Sequence, residues 1–146
     1  MTTAKRITMS VVALALVLAA VLGVVACAKL SNPVQMKETE VVIPLDKAVM
    51  ADISGKHLVD YLNVLVEKEF LTYDAPGGFV VTINDRTADS TKGEYWLIYT
   101  DDEENSDASW GTYDVDGKTY NSAKFGINDL PLKEGKTYVF MISKFE

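Results

Sequence analysis

The side chains that most often carry catalysis are scarce in this chain. Its 146 residues include one histidine, His57, and one cysteine, Cys27. A nucleophile needs an adjacent base that a third group orients, and no such set is indicated around His57. The 21 acidic residues show no pair whose spacing singles it out as a general acid and base. We therefore predict no catalytic residue and no enzyme, with His57 a solvated residue at a helix start.

Residues 101–107 form the densest group of oxygen ligands. Five of these seven side chains are acidic, and hard cations such as Ca²⁺ bind several carboxylate and carbonyl oxygens. Read as an EF-hand from Asp101 or Asp102, the segment lacks glycine at the sixth position and glutamate at the twelfth. We predict a solvated loop and no metal site, with calcium binding as the alternative that calorimetry would detect.

Aromatic residues between positions 95 and 120 are the best candidates for binding. They are Tyr95, Trp96, Tyr99, Trp110, Tyr113 and Tyr120. Aromatic side chains mostly fill cores or pair across strands, so we expect several to be structural. Trp110 stands between the acidic segment and a glycine, where we expect it to be exposed. We predict that Trp96, Tyr99, Trp110 and Tyr113 supply apolar contact to a planar ligand or a partner peptide.

The N-terminal residues predict export. Two basic residues precede residues 11–25, which are all Val, Ala, Leu or Gly, and this order is typical of a secretory signal peptide. Residues 24–27, Val-Val-Ala-Cys, resemble the bacterial lipobox. That resemblance implies cleavage after residue 26, lipid attachment at Cys27 and a cell-membrane protein facing outside the cytoplasm. The alternative is an uncleaved transmembrane helix over residues 7–26, long enough for a bilayer core of about 30 Å.

Charge, cysteine count and length exclude several classes of protein and limit the number of domains. Loss of residues 1–26 would lower the formal charge from −7 to −9, because it removes Lys5 and Arg6 and leaves all 21 acids. Such an acidic chain is a poor partner for nucleic acid, whose binding depends on Lys and Arg. One cysteine excludes a disulfide framework within the chain. We predict a tether over residues 27–37 and one domain over residues 38–146.

Hydrophobic periodicity predicts one helix among strands. Residues 57–70 place apolar side chains at spacings of three and four, which is typical of an amphipathic helix. Strands are predicted over residues 38–45, 79–84, 94–100 and 137–145, and Asp116-Gly117 marks a hairpin turn. The sequence therefore predicts an α+β, β-grasp-like fold, with one helix packed on a sheet of four to five strands.

Several segments resemble the transcobalamin-like C-terminal domain of bacterial surface proteins. They are residues 55–56 and 58–62, 78–80 and 83–84, 95–96 and 99–100, 126–132 and 134–140. The resemblance covers residues 38–144 and implies a β-grasp-like domain. In transcobalamin, this domain closes one side of a corrinoid and a separate helical barrel closes the other. That barrel is absent from this chain.

The sequence as a whole predicts a lipid-anchored binding domain with no required cofactor. With the resemblance, the hypothesis is that it captures a small planar ligand, a cobalamin-type corrinoid first, for a nearby uptake transporter. The alternative is a protein-interaction module without a small-molecule ligand, which docks to another surface protein or to a helical partner domain.

Overall fold

The computed structural model describes residues 29–146, and strands dominate it. In chain order the elements are β1 Gln35–Met36, β2 Glu40–Pro44, α1 Leu58–Glu67, β3 Tyr73–Asp74, β4 Thr82–Ile83, β5 Arg86–Thr87, β6 Glu94–Thr100, β7 Ser106–Val115, β8 Lys118–Ala123 and β9 Thr137–Lys144. The predicted signal peptide, the predicted lipid-bearing Cys27 and the alternative membrane helix lie outside the described residues. Within residues 29–146, no helix has the length and apolar character that spanning a membrane requires.

The strands form two sheets, so the predicted single helix on one sheet of four to five strands is wrong. A six-stranded antiparallel sheet has the order β1-β2-β9-β6-β8-β7, and a separate three-stranded sheet has the order β3-β4-β5. The strand predicted over residues 79–84 shrinks to β4, which pairs with β3 and β5. Local alternation indicates an extended chain without specifying its pairing partner, and this pairing takes β4 out of the main sheet.

The predicted helix is confirmed, and the N-terminus of α1 is fixed to the segment that precedes β9. The Asp60 carboxylate accepts a hydrogen bond from the His57 N–H at 2.8 Å. The next two N–H groups, of Leu58 and Val59, donate to the carbonyls of Leu130 at 2.8 Å and Ile127 at 2.9 Å. Backbone carbonyls from the segment before β9 thus satisfy donors that every helix start leaves free. His57, predicted to be solvated, is half-buried and bridges to Pro131.

Alternation along β6 and β9 divides the main sheet into two apolar faces. The helix face packs against α1, and its buried side chains include Val41, Ile43, Leu58, Tyr61, Leu62, Leu65, Trp96, Tyr138 and Phe140. The second face has a smaller core of Val42, Tyr99, Val115, Tyr120 and Val139. Because neighbouring strand residues point to opposite faces, one sheet supports two separate cores.

The main sheet curls until its two ends meet over the second face. Three strands separate β2 from β7, yet the Tyr113 hydroxyl of β7 donates to Glu40 Oε2 of β2 at 2.5 Å. Lys37 Nζ bridges Glu40 at 3.2 Å and Asp116 at 2.8 Å. The hydrogen bond to Glu40 raises the pKa of Tyr113. The second-face core is therefore closed at the rim by polar contacts between distant strands.

Candidate binding groove

The four predicted binding residues do not form one surface. Trp96 and Tyr99 lie on opposite faces of the sheet, and each is 8% exposed. Tyr113 is half-buried beside Tyr99, with ring centroids 5.6 Å apart, and burial raises the pKa of Tyr99. Trp110 is 63% exposed, which confirms its predicted exposure. Three positions separate residues 96 and 99, and an odd separation on a strand puts two side chains on opposite faces.

Trp110 lies in a bulge of β7. Asp107 pairs with Ser122 and Thr112 with the preceding residue of β8, so residues 108–111 have no partner opposite them. The Asp107 carboxylate accepts from the Ser109 N–H at 2.9 Å and from its hydroxyl at 2.6 Å. These bonds, the hydroxyl bond first, hold the pKa of Asp107 below its usual value. The bulge is therefore held locally, at a distance from the helix face.

The acids of the predicted loop bond to donors within the protein. Asp102 is fully buried and accepts from the Glu104 N–H at 3.2 Å. Asp101 accepts from Lys118 Nζ at 2.6 Å and from the Thr137 N–H at 2.8 Å. Over residues 29–146, no three His, Cys, Asp or Glu side chains are grouped closely enough to hold a metal ion. The segment between β6 and β7 is thus held by a hydrogen bond within it and by donors on β8 and β9.

A space opens beside β6 where β8 leaves the sheet. β6 pairs with β9 along its whole length, but with β8 only at Tyr99 and Thr100. After β8 ends, the Lys124 N–H donates to the Asn105 carbonyl at 2.9 Å, which keeps the chain on the side of β7. Among the described residues, no strand therefore pairs with residues 94–98 on the side opposite β9. We call this space the β6 groove.

The β6 groove consists of two adjoining cavities with aromatic walls. Each has a volume of about 260 Å³, and both are lined by Phe79, Val80 and Trp96. Phe125 lines one cavity and Tyr95 the other. Phe79 is 80% exposed and Phe125 is 45% exposed. Ligand sites typically have volumes of about 300–1,000 Å³ and mostly apolar walls, so the two cavities together are large enough for a small ligand.

The backbone of Trp96 presents unpaired polar groups to this groove, and its buried indole Nε1 also lacks a partner among the described residues. The Phe145 N–H donates to the Gly93 carbonyl at 2.8 Å, which identifies these two residues as a hydrogen-bonded pair of the β6–β9 ladder. Bonded and non-bonded pairs alternate along antiparallel strands, so the N–H and C=O of Trp96 point away from β9. The backbone N–H of Glu94, two residues earlier, points to the same side as that of Trp96, and it donates to the Asp89 carbonyl at 3.0 Å. Among the described residues, Trp96 has no partner for its backbone N–H, its C=O or its indole Nε1.

The predicted binding residues do not include Phe79 and Phe125, which line the groove. The sequence predicts a strand over residues 79–84 with Phe79 on one face, but the turn Pro76–Gly78 precedes Phe79, with φ of +64° at Gly77 and +87° at Gly78. Each missed phenylalanine adjoins a glycine, and a Cβ built on Gly126 would lie 3.6 Å from the Gly78 carbonyl. Two neighbouring Phe and Gly residues in each of two separate loops were the available signal for the groove. Glycine backbones can approach each other closely, and this approach brings the adjacent rings together.

Comparison with known proteins gives one partial match. A family model described as "Domain of unknown function (DUF4430)" matches residues 55–109. The matched stretch includes α1, the three-stranded sheet, β6 and the start of β7. It therefore contains Phe79 and Trp96, and it ends before Trp110 and Phe125. No curated protein and no solved structure matches the chain, and no comparison links it to transcobalamin-like proteins.

Proposed function

We propose that this protein is a non-enzymatic binding protein that holds a small planar ligand in the β6 groove. The observation that carries the proposal is the pair of adjoining cavities that share Phe79, Val80 and Trp96. Aromatic rings offer large apolar area to a planar ligand. The resemblance to the transcobalamin-like C-terminal domain makes a corrinoid the first ligand to test, and the match over residues 55–109 is compatible with that resemblance.

The ligand proposal is tested by spectral titration of the full chain in detergent with cobalamins and haem. We expect a shift of the corrin absorption bands that saturates at tens of micromolar ligand. Phe79→Ala should weaken binding at least tenfold, because it removes the most exposed wall of both cavities. Trp110→Ala is the matched control, since it removes an exposed aromatic ring that lines neither cavity. The absence of any shift would contradict the ligand proposal.

We propose further that the protein is anchored outside the cytoplasm by lipid at Cys27, where it would deliver its ligand to an uptake transporter. The support is the order of basic residues, apolar run and Val-Val-Ala-Cys at positions 24–27. Two acyl chains anchor a protein stably, whereas one chain binds marginally. Cys27→Ala should release the protein from the membrane fraction and abolish palmitate labelling. Full membrane retention of this variant would favour the transmembrane alternative.

A protein-interaction module is the second candidate function, and one observation favours it. The backbone N–H and C=O of Trp96 form an unpaired strand edge along the groove. Unpaired edges of this kind accept strands from other chains. A partner protein would then take the place of the small ligand.

A further inference from the structure

We propose that the β6 groove binds an extended peptide with an apolar centre and a net positive charge, which pairs with Trp96 as an added strand. The inference rests on the second candidate function, the interaction module, and specifies the partner's chemistry. It follows from the backbone geometry of β6, the faces of its side chains and the charge of the chain.

The backbone of Trp96 sets the kind of occupant. Its N–H and C=O both point into the groove, and neither has a partner among the described residues. Backbone donors and acceptors are strong hydrogen-bonding groups, and leaving them unpaired when a ligand covers them costs free energy. A strand residue opposite Trp96 would satisfy both groups at once, because a hydrogen-bonded antiparallel pair exchanges two N–H to O bonds. A flat apolar ligand would cover the aromatic rings and leave these two groups unpaired.

The space beyond the end of β8 lies where such a strand would pair with β6. β8 runs antiparallel to β6 and pairs with it only at Tyr99 and Thr100. An incoming strand would continue that ladder with a residue opposite Trp96, at the interstrand spacing of about 4.8 Å, and would end before Glu94, whose N–H already donates to Asp89. Phe79 and Phe125 flank this position. The peptide would therefore extend an existing sheet and bind without rearranging the strands around it.

Side-chain alternation predicts an apolar centre. Directly opposite residues in a sheet share a face, so the peptide residue opposite Trp96 would point toward the helix face. Its two neighbours would point to the second face, beside Tyr95 and Leu97, which alternate with Trp96 on β6. The three central residues would thus contact aromatic or apolar side chains, and polar residues there would lose their hydration.

Charge selects a peptide of net positive charge. Beyond residue 26 the chain has 21 acidic and 12 basic residues, and Glu94 lines one end of the groove beside Asp89, whereas Lys124 lines the other end. A basic partner is attracted to such a surface and an acidic one is repelled. Because these charges are exposed to solvent, added salt should weaken the attraction.

The test uses a synthetic heptapeptide, Lys-Thr-Val-Ile-Val-Thr-Lys, acetylated and amidated at its ends, with the full chain in detergent micelles. Amide exchange measured by NMR should show the Trp96 N–H protected at least tenfold at saturating peptide. An analogue methylated on every amide nitrogen between the lysines retains the side chains but cannot pair, and its affinity should fall at least tenfold. Replacing both lysines by glutamate should also weaken binding. Phe79→Ala should lower the affinity, and Trp110→Ala should not.

Three outcomes would overturn the inference: no binding at millimolar peptide, unchanged exchange at Trp96, or equal affinity of the methylated analogue. A corrinoid shift without Trp96 protection would support the small-ligand proposal and reject the peptide. Protection of the Trp96 N–H without a corrinoid shift would support the peptide and reject the small-ligand proposal. Failure of both titrations would reject both occupants of the groove.

Discussion

The two faces of the six-stranded sheet carry similar aromatic side chains in different surroundings. On the second face, the rings of Tyr99 and Tyr113 lie together where Glu40 and Lys37 join the ends of the sheet. On the helix face, Trp96 is buried to a similar extent, but the position next to its strand is vacant. One face therefore uses its aromatic rings to close the sheet, and the other places them beside an open groove.

Residue type alone therefore does not distinguish an aromatic side chain that packs from one that we propose to bind. Trp96 and Tyr99 are three residues apart on one strand and equally buried. What distinguishes them is the neighbouring backbone, since β8 pairs with Tyr99 and leaves Trp96 unpaired. A functional assignment for a strand aromatic residue thus depends on the partner of its strand.

The largest effect should come from the buried tryptophan of the helix face. Trp96→Ala should lower the free energy of unfolding by about 3–5 kcal/mol, because it removes a large ring from a packed core. Trp110→Ala should change it by less than about 0.5 kcal/mol, because its ring is 63% exposed. Urea denaturation of both variants measures the contrast. Equal losses would show that the bulge packs against the fold.

Two glycines with similar backbone angles provide the next comparison. Gly93 has φ of +74° and Gly117 has φ of +80°, so alanine at either site costs about 1 kcal/mol of backbone strain. A Cβ at Gly93 would also collide with the Phe145 carbonyl, whereas Gly117 faces open space. Gly93→Ala should therefore destabilise by about 3 kcal/mol and Gly117→Ala by about 1 kcal/mol. Thermal or urea unfolding that ranks the two equally would contradict the close approach at the start of β6.

Loss of the hydrogen bond that closes the second face should lower the free energy of unfolding by a smaller amount. Tyr113→Phe removes the hydrogen bond to Glu40 and should destabilise by about 1 kcal/mol. Tyr95→Phe is the control, because the Tyr95 ring is 47% exposed on the groove side. Urea denaturation at neutral pH compares the two, and a loss in Tyr95→Phe as large as in Tyr113→Phe would contradict the closure.

The same hydrogen bond makes stability depend on alkaline pH. The bond to Glu40 raises the pKa of Tyr113 above 10.0, so the folded state favours the neutral phenol. This contribution is complete below pH 10.0 and is lost as pH rises through the raised pKa. Tyr113→Phe should therefore reduce the fall in unfolding free energy between pH 9 and pH 12, by roughly the amount that the bond contributes.

The smallest effect should be confined to the bulge. Asp107→Ala should lower the fluorescence anisotropy of Trp110, measured in a Trp96→Phe background, because Ser109 loses its acceptor. The bonds from Ser109 lower the pKa of Asp107. In the protein that retains Asp107, these hydrogen bonds should therefore be complete above pH 3.8 and be lost as pH falls through the lowered pKa. Asp114→Ala, elsewhere on β7, should leave the anisotropy unchanged. A change in both variants would mean that the whole strand moves.

Local features were predictable because local interactions produce them. The spacing of apolar residues in α1 and the Asp116-Gly117 turn, with φ of +50° and +80°, need only neighbouring residues. The exposure of Trp110 also followed from its neighbours. The pairing of β4 in the small sheet and the contact of Glu40 with Tyr113, 73 residues apart, depend on partners that no short window contains.

By itself, the amino-acid sequence determined the helix α1, the longer strands β2, β6 and β9, the acidic charge beyond residue 26 and the scarcity of catalytic side chains. It indicated that aromatic residues are the candidates for binding, but Phe79 and Phe125 were outside the candidate set. Only the tertiary structure decided which rings meet in a groove, because β8 leaves β6 after Ala123 and two distant loops bring Phe79 and Phe125 to the vacant edge. Periodicity records which way each side chain points, whereas long-range pairing decides what it faces.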